Sequence, residues 1–367
     1  MRIDALAKKL FRKNSDSSLE ESTQSPATEY TEEIQAKNNP WDLDAPYAPD
    51  NIWFHSNAIT SDMGLKISGV AGRPWHQFIC EKYLWPSLQN WDAMAQQDMK
   101  RQAYQFTNTK KPQSYRCLIM GSTELNIEKF LWRWGYVGEI LTVDIAEKAL
   151  ARCKKEADSM GKNNINFVVE DLNTATFDGK FDFVITNGIL HHLEHQANCL
   201  DMINSVLTDE GLLIAVEYTG PFRFQLPKVQ VEWINGLLAM MPADLRLPAS
   251  EYTGMAPLPA DAHWCRPFKP ISEELMISID PTEALTGHIL EDNLLSRFDL
   301  IQRSQTGGTL STYFHEHLDY KKTNEVPLKQ WMESLIGIET KLIEDGVLRS
   351  DFSFYVMRRR GEVSTLS

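Results

Sequence analysis

Short apolar runs alternate with amphipathic stretches of helical length between Tyr115 and Gly220. The runs predict five strands, at Arg116–Met120, Ile140–Val143, Phe167–Val169, Phe181–Thr186 and Leu212–Glu217. The stretches between them predict helices over Leu125–Trp134, Ala146–Met160 and Ala197–Leu207, the last one ended by the residues TDEG. Strands that alternate with helices are joined by right-handed crossovers, so the pattern predicts a mostly parallel sheet covered on both faces.

The alternation lapses after Gly220. Residues 221–297, rich in proline at first, predict an insertion whose clear helix is VEWINGLLAMM. The pattern then resumes with a strand at Phe298–Arg303, a helix centred on Leu328–Ile343 and a final strand at Phe352–Met357. The predicted fold class is therefore a doubly wound α/β domain with seven strands, the last antiparallel, which residues 298–367 complete.

The N-terminal part of the chain contains two contrasting segments. Residues 1–40 are mostly polar and acidic, which predicts a disordered leader because so few large aliphatic side chains cannot offset the entropy of ordering. Residues 41–110 contain five tryptophans among aliphatic side chains and predict helices that form a lid over the α/β domain.

Charge and cysteine content narrow the classes of partner. The 37 basic and 50 acidic residues give a net charge of −13, which excludes nucleic acid as a general partner. The five cysteines form no CxxC pair, so the chain fits a reducing cytoplasm. No apolar run has the length of a membrane span, which predicts no integral membrane contact. A homo-oligomer is compatible with the sequence.

Acidic residues follow two of the predicted strands. Asp144 ends ILTVD, 23 residues after Gly121, and Asp171 lies in VVEDL. The segments FDFVITNGILHHLEH and TDEGLLIAVEYTG follow in order. Together these motifs resemble the class I S-adenosylmethionine-dependent methyltransferases over about residues 111–220, which would form the cofactor-binding core. The loop NGILHHLEH differs from the corresponding loop of an NAD-dependent enzyme.

The resemblance implies S-adenosylmethionine as cofactor. It places Asp144 on the ribose hydroxyls, a task that suits a carboxylate because it accepts from both hydroxyls, and Asp171 on the adenine amino group. The implied cofactor-binding residues are Gly121, Ser122, Thr123, Asp144, Ile145, Asp171, Leu172 and Asn187. From the residues alone, Asp144 could equally cap a helix and Asp171 could be a solvated loop residue.

The first loop departs from the family pattern. The family has a glycine-rich sequence there, whereas this chain has Gly121-Ser122-Thr123-Glu124-Leu125, with side chains where close backbone approach is normally needed. The alternative function is therefore a methyltransferase fold without catalysis that acts as a binding or scaffold module.

The candidate catalytic residues are His191, His192, Glu217 and Arg223. An imidazole titrates near working pH, so one histidine of the LHH loop is a candidate general base, and the sequence does not separate the two. We predict no metal site, since no cysteine or carboxylate cluster lies at ligand spacing with the histidines. If Arg223 is buried, it would pair with an anionic group of an acceptor. If it is exposed, it would lie on a solvated face of the protein.

Three later segments resemble a bacterial subset of the family: EYTGPFRFQ (residues 217–225), DPTEA (280–284) and GGTL (307–310). They suggest an acceptor pocket at the carboxyl edge of the sheet, with residues 221–297 as its cap. The competing interpretation is that Glu283 caps a helix and Gly307–Gly308 form a turn. The resemblance implies in-line methyl transfer to a small polar acceptor such as a sugar, a glycan precursor or a secondary metabolite.

Overall fold

The computed structural model describes residues 115–121, 125–134, 137–246, 268–317 and 326–360. The predicted leader over residues 1–40, the predicted lid over residues 41–110, and the candidate ligands Ser122 and Thr123 lie outside the described residues.

The described residues form a seven-stranded sheet with the order β3-β2-β1-β4-β5-β7-β6. The strands are β1 Tyr115–Met120, β2 Val137–Asp144, β3 Ile165–Val169, β4 Phe181–Asn187, β5 Leu207–Tyr218, β6 Phe298–Gly307 and β7 Phe352–Arg359. The first five are parallel, and β7 is antiparallel to both β5 and β6. The predicted fold class, a mostly parallel seven-stranded sheet with an antiparallel last strand, is confirmed.

Alternate side chains of the central strands enter two separate apolar layers. Leu118 of β1 and Val184 of β4 belong to one buried cluster, whereas Ile119 and Phe183 belong to the other. Successive side chains of a strand point to opposite faces, so continuous apolar runs are what a sheet covered on both sides requires.

The helices are α1 Asn126–Trp134, α2 Glu147–Ser159, α3 Gln196–Val206, α4 Lys228–Met240, α5 Glu273–Ile279, α6 Gly287–Arg297 and α7 Val326–Glu344. The last helix of the predicted insertion, α6, packs on the sheet layer: Leu290 and Leu294 join the cluster that contains Leu200 and Ile203 of α3. Helix α4 instead packs with α7 in a third apolar cluster. None of the described helices has the length and hydropathy needed to cross a membrane.

One predicted strand boundary was wrong, and two helices were not predicted. The residues TDEG do not separate α3 from β5, because β5 already begins at Leu207, the residue before them. Leu207 pairs with Phe181 and Leu212 pairs with Phe183, so the pairing register absorbs the extra residues as an irregularity. The helices α5 and α6 were also not predicted in the segment after the prolines; Ser272 caps α5 by accepting the Leu275 amide at 3.2 Å.

Candidate active site

The loops after β1 and β4 meet at the carboxyl edge of the sheet. Gly121 has a φ of +78°, and its amide donates to the Val143 carbonyl at 3.0 Å. A Cβ atom at Gly121 would lie 2.7 Å from the Cβ of Ile189, in the loop after β4. Glycine is therefore required at this position by both the backbone conformation and the close approach.

Asp144 ends β2 at the same edge and is 5% exposed. Its Oδ1 accepts the Ala146 amide at 2.8 Å, so one carboxylate oxygen holds the turn that leads into α2. The neighbouring Ile145 is 39% exposed. Asp144 therefore does not cap α2, whose N-cap residue is Ala146, but fixes the turn before it.

Asp171 lies two residues beyond the end of β3 and organises a tight turn. Its Oδ1 accepts both the backbone amide and the side-chain amide of Asn173 at 2.9 Å. The Asn173 side chain in turn accepts the His195 amide at 2.9 Å, which ties this loop to the loop after β4. Leu172 is buried in the apolar layer of the sheet, and Asn187 forms the half-buried end of β4.

The loop after β4 delivers the two histidines beside Glu217. His191 is 6% exposed, and its Nδ1 lies 3.0 Å from Oε2 of Glu217, near the end of β5. The Glu217 carboxylate also accepts the amides of Ile189 at 3.3 Å and Leu190 at 3.1 Å. Glu217, 1% exposed, therefore fixes both the loop backbone and the orientation of the His191 ring.

A second carboxylate reaches the histidines from the DPTEA segment. Glu283 is 3% exposed, with Oε1 at 3.5 Å from His191 Nε2 and Oε2 at 3.6 Å from His192 Nε2. The Thr286 amide donates to the His191 carbonyl at 3.0 Å and so holds this segment over the loop. Glu283 faces the imidazoles and does not cap a helix.

The other side of His192 is also fixed by the DPTEA segment. Its Nδ1 lies 3.1 Å from the Thr282 hydroxyl, and that hydroxyl donates to Oδ1 of Asp280 at 2.7 Å. Because the hydroxyl proton is used for Asp280, the hydroxyl accepts from His192, and the proton of the neutral imidazole lies on Nδ1. The lone pair of His192 Nε2 then faces Glu283.

Arg223 is buried, at 7% exposure, in the segment after β5. Its Nη1 donates to the Pro281 carbonyl at 2.8 Å, its backbone amide donates to the Ala284 carbonyl at 2.9 Å, and its Nε lies 3.9 Å from Glu273. Arg223 thus supports the DPTEA backbone from behind. The sequence left open whether Arg223 is buried or exposed, and the structure shows that it is buried.

The GGTL segment belongs to a different polar network. Gly307 and Gly308, at the end of β6, have φ angles of +82° and +78°. The Leu310 and Ser311 amides donate to the buried carboxylate of Glu339 in α7. The segment thus contacts Glu339, and Gly307 is still the last residue of β6.

The buried charges shift the titration of the cluster. Burial would lower the pKa of His191, but the Glu217 and Glu283 carboxylates outweigh it and raise that pKa to about 9. Burial lowers the pKa of His192. Burial would raise the pKa of Glu283, but the two imidazoles lower it. At neutral pH, the cluster thus combines an imidazolium, a neutral imidazole and a carboxylate.

Glu283, Thr282 and Asp280 are the residues that sequence reasoning did not select as site residues. They lie about 90 positions from the histidines, as in the contact between His192 and Thr282, so no local spacing reveals the pairing. The DPTEA motif is the available signal, because its resemblance already suggests an acceptor pocket.

Residues 125–253 match the sequence model of a family described as a methyltransferase domain. Over this segment, about a third of the chain, the sequence is similar to a methyltransferase domain. The match covers the segment from the start of α1 to beyond α4, including the histidine loop, Glu217 and Arg223. It confirms the predicted enzyme class, a methyltransferase that uses S-adenosylmethionine. No curated protein sequence matches the chain.

Solved structures with a similar arrangement include an S-adenosylmethionine-dependent methyltransferase from Mesorhizobium loti, with 16% identity and a TM-score of 0.37 over 73% of this chain and 99% of that one. A second is an O-methyltransferase of a Brevibacillus brevis polyketide multienzyme, in complex with S-adenosyl-L-homocysteine. It has 12% identity and a TM-score of 0.36, and the match covers 75% of this chain and 77% of that one. A third is a [4+2]-cyclase, with 12% identity and a TM-score of 0.37, and the match covers 71% of this chain and 80% of that one.

Proposed function

We propose that the protein transfers the methyl group of S-adenosylmethionine to a small polar acceptor, such as a sugar, a glycan precursor or a secondary metabolite. The observation that carries this proposal is the cluster of His191, His192 and Glu283 at the carboxyl edge of the sheet, whose two histidines lie in the segment similar to a methyltransferase domain. Ligands of open α/β sheets bind at that edge.

The cofactor is assigned to the loops after β1, β2 and β3. In this assignment, Asp144 accepts hydrogen bonds from the ribose hydroxyls, and Asp171 accepts a hydrogen bond from the adenine amino group. Gly121, which has no side chain, allows the methionine part of the cofactor to lie close to the backbone. Ile145, Leu172 and Asn187 complete the surroundings of the cofactor, together with Ser122 and Thr123. The contact between Gly121 and Ile189 supports this assignment because it brings the cofactor loops next to the histidine loop.

The acceptor is assigned to the side of the histidines. In-line displacement at the sulfonium requires the nucleophilic oxygen or nitrogen to be aligned and to lose its proton. His191, His192 and Glu283 promote that loss, whereas Glu217 and Arg223 position them through the loop and the DPTEA backbone. A base without a positive charge is available at His192, whose pKa is lowered by burial.

The proposed setting is the cytoplasm, with no nucleic acid as partner. Its support is the net charge of −13 and the three free cysteines of the described residues, Cys117, Cys153 and Cys199, which are all buried.

The test is a search for turnover with purified protein, S-adenosylmethionine and a panel of hydroxylated and aminated small molecules. We expect S-adenosylhomocysteine to form only with certain acceptors, each gaining one methyl group by mass spectrometry. Glu283→Gln should lower kcat more than it changes cofactor affinity, whereas Asp158→Asn, on an exposed helix face, should change neither. Cofactor binding without transfer to any acceptor would favour the binding-module alternative.

A further inference from the structure

We infer that His191, His192 and Glu283 form a binding site for one divalent transition-metal ion of the zinc class. The three residues offer two imidazole nitrogens and a carboxylate oxygen that all lie within 4.8 Å of one another. Two histidines and one glutamate are a donor set that zinc and its neighbours in the first transition row accept. The site would lie in the proposed acceptor pocket, and the inference rests on the proposed function for its role.

The two carboxylate oxygens of Glu283 each face an imidazole nitrogen at a separation longer than an ordinary hydrogen bond. Oε1 of Glu283 lies 3.5 Å from His191 Nε2, and Oε2 of Glu283 lies 3.6 Å from His192 Nε2. An ordinary N–H···O hydrogen bond spans about 2.7–3.2 Å. Two ligand atoms that each lie about 2.1 Å from a tetrahedral ion are roughly 3.4 Å apart.

Both imidazoles have the outer contacts that metal-bound histidines typically make. The nitrogen not facing Glu283 is in each case fixed from behind: His191 Nδ1 by Glu217 at 3.0 Å, and His192 Nδ1 by the Thr282 hydroxyl at 3.1 Å. Such contacts set the ring orientation and increase the basicity of the nitrogen that binds the metal. The cluster therefore has both the inner donors and the outer support of a metal site.

The hydrogen-bond network leaves a position for positive charge between the donors. The Thr282 hydroxyl donates to Asp280 at 2.7 Å and lies 3.1 Å from His192 Nδ1. Nε2 is therefore the His192 nitrogen that faces the Glu283 carboxylate, at 3.6 Å. Glu217, Glu283 and Asp280 are all at most 3% exposed, which concentrates carboxylates around the rings. A divalent cation bound to both Nε2 atoms and Glu283 would replace the proton of the His191 imidazolium and offset more of this buried negative charge.

Three protein donors leave a fourth coordination position for a substrate oxygen. Zinc sites with three protein ligands and an open position are typical of catalysis, whereas structural sites use four. An acceptor hydroxyl bound there would lose its proton more readily, because the cation stabilises the alkoxide, and the carboxylate oxygen of Glu283 that does not bind the ion would take that proton. The inference thus favours hydroxyl-bearing acceptors, whose oxygen would be methylated.

Cobalt(II) titration of the chelator-treated full chain tests the site without any turnover. We expect one Co²⁺ per chain, a visible absorption spectrum typical of tetrahedral coordination, and displacement of Co²⁺ by Zn²⁺. Glu217→Gln, which removes an outer contact, should weaken Co²⁺ binding by about 10- to 100-fold. Glu283→Gln and His192→Ala remove a ligand and should weaken Co²⁺ binding by more than that. His195→Ala, an exposed histidine of the same loop, is the matched control and should bind as wild type does.

Absence of saturable Co²⁺ uptake by the wild type would overturn the site, as would wild-type affinity in both Glu283→Gln and His192→Ala. Circular dichroism of each variant shows whether it is folded, and the wild-type titration remains decisive if a variant is not. Titration of the metal-free wild type with S-adenosylmethionine separates the two proposals: cofactor binding and methyl transfer without metal would leave the proposed function standing and remove only the ion.

Discussion

The cofactor site is assigned mainly from single carboxylates at the ends of strands. Asp144 closes β2 at 5% exposure, and its Oδ1 is used in the bond to the Ala146 amide that starts α2. We predict that Asp144→Ala weakens S-adenosylmethionine binding by roughly 1.5–3 kcal/mol, the scale of hydrogen bonds to a charged group. Calorimetry of the variant beside Asp158→Ala measures this; equal affinities would remove Asp144 from the ribose.

A second prediction at this scale concerns Asp351, far along the chain in the turn before β7. Burial raises the pKa of Asp351 from 3.8 to about 8, although Gln230 donates to its carboxylate at 3.0 Å. Because the folded state holds this proton more tightly than the unfolded state, the contribution of Asp351 to stability falls as the pH rises from about 4 to about 8.

Asp351→Asn removes the titrating group and keeps an oxygen that can accept from Gln230. The variant should therefore gain melting temperature relative to wild type at pH 8, and the gain should shrink towards pH 4. Thermal unfolding followed by circular dichroism at both pH values measures the difference. A variant that melts lower than wild type at pH 8 would show that the ionised carboxylate stabilises the fold.

At the scale of elements, the contact between two loops holds the site together. Gly121→Ala would place a Cβ atom 2.7 Å from Ile189 and strain a backbone at a φ of +78°. Gly161 also has a positive φ, +67°, but open space around it. We expect Gly161→Ala to cost about 1–2 kcal/mol from backbone strain alone, and Gly121→Ala to cost more and also to weaken cofactor binding.

Denaturant unfolding and cofactor titration of both variants distinguish the two effects. If Gly121→Ala and Gly161→Ala lose the same stability and neither loses cofactor affinity, the contact between the loops has no role in the site.

The predictability of each element follows from the range of the interactions that form it. The strands β1, β4 and β5 could be located because each contains an apolar run buried on both sides of the sheet. Helix α6 was not predicted, since its apolar face becomes evident only when Leu290 and Leu294 pack beside α3. The start of β5 at Leu207 likewise depends on pairing with Phe181, which the turn-like TDEG sequence conceals.

The residues of the candidate site also divide into those that the local sequence predicts and those that depend on long-range packing. His191, His192 and Glu217 could be selected because they adjoin strand ends, where ligands bind in this kind of sheet. The meeting of His192 with Glu283 could not, because it depends on how the segment before α6 folds back over the loop. Long-range packing therefore decides which polar residues share a site.

At the scale of the whole molecule, the C-terminal strand is part of the central sheet. β7 lies between β5 and β6, and Val356, 2% exposed, is aligned with Ile214. We predict that Val356→Asp unfolds the domain and abolishes cofactor binding, since a buried unpaired charge costs several of the about 5–15 kcal/mol that stabilise a domain. Arg359→Ala, which loses a pair with the exposed Asp209, should cost at most about 1 kcal/mol.

Far-ultraviolet circular dichroism and cofactor titration of the two variants measure this coupling. A folded Val356→Asp protein with normal cofactor affinity would show that the site does not depend on the C-terminal strand.

The central claim is that this sheet, with its polar carboxyl edge and its departure at Ser122 and Thr123 from a glycine-rich first loop, binds S-adenosylmethionine. Isothermal titration of the purified wild-type chain with S-adenosylmethionine, and separately with S-adenosylhomocysteine, tests it most directly. We predict saturable binding of one molecule of either compound per chain. Binding of neither compound by the folded protein would contradict the account.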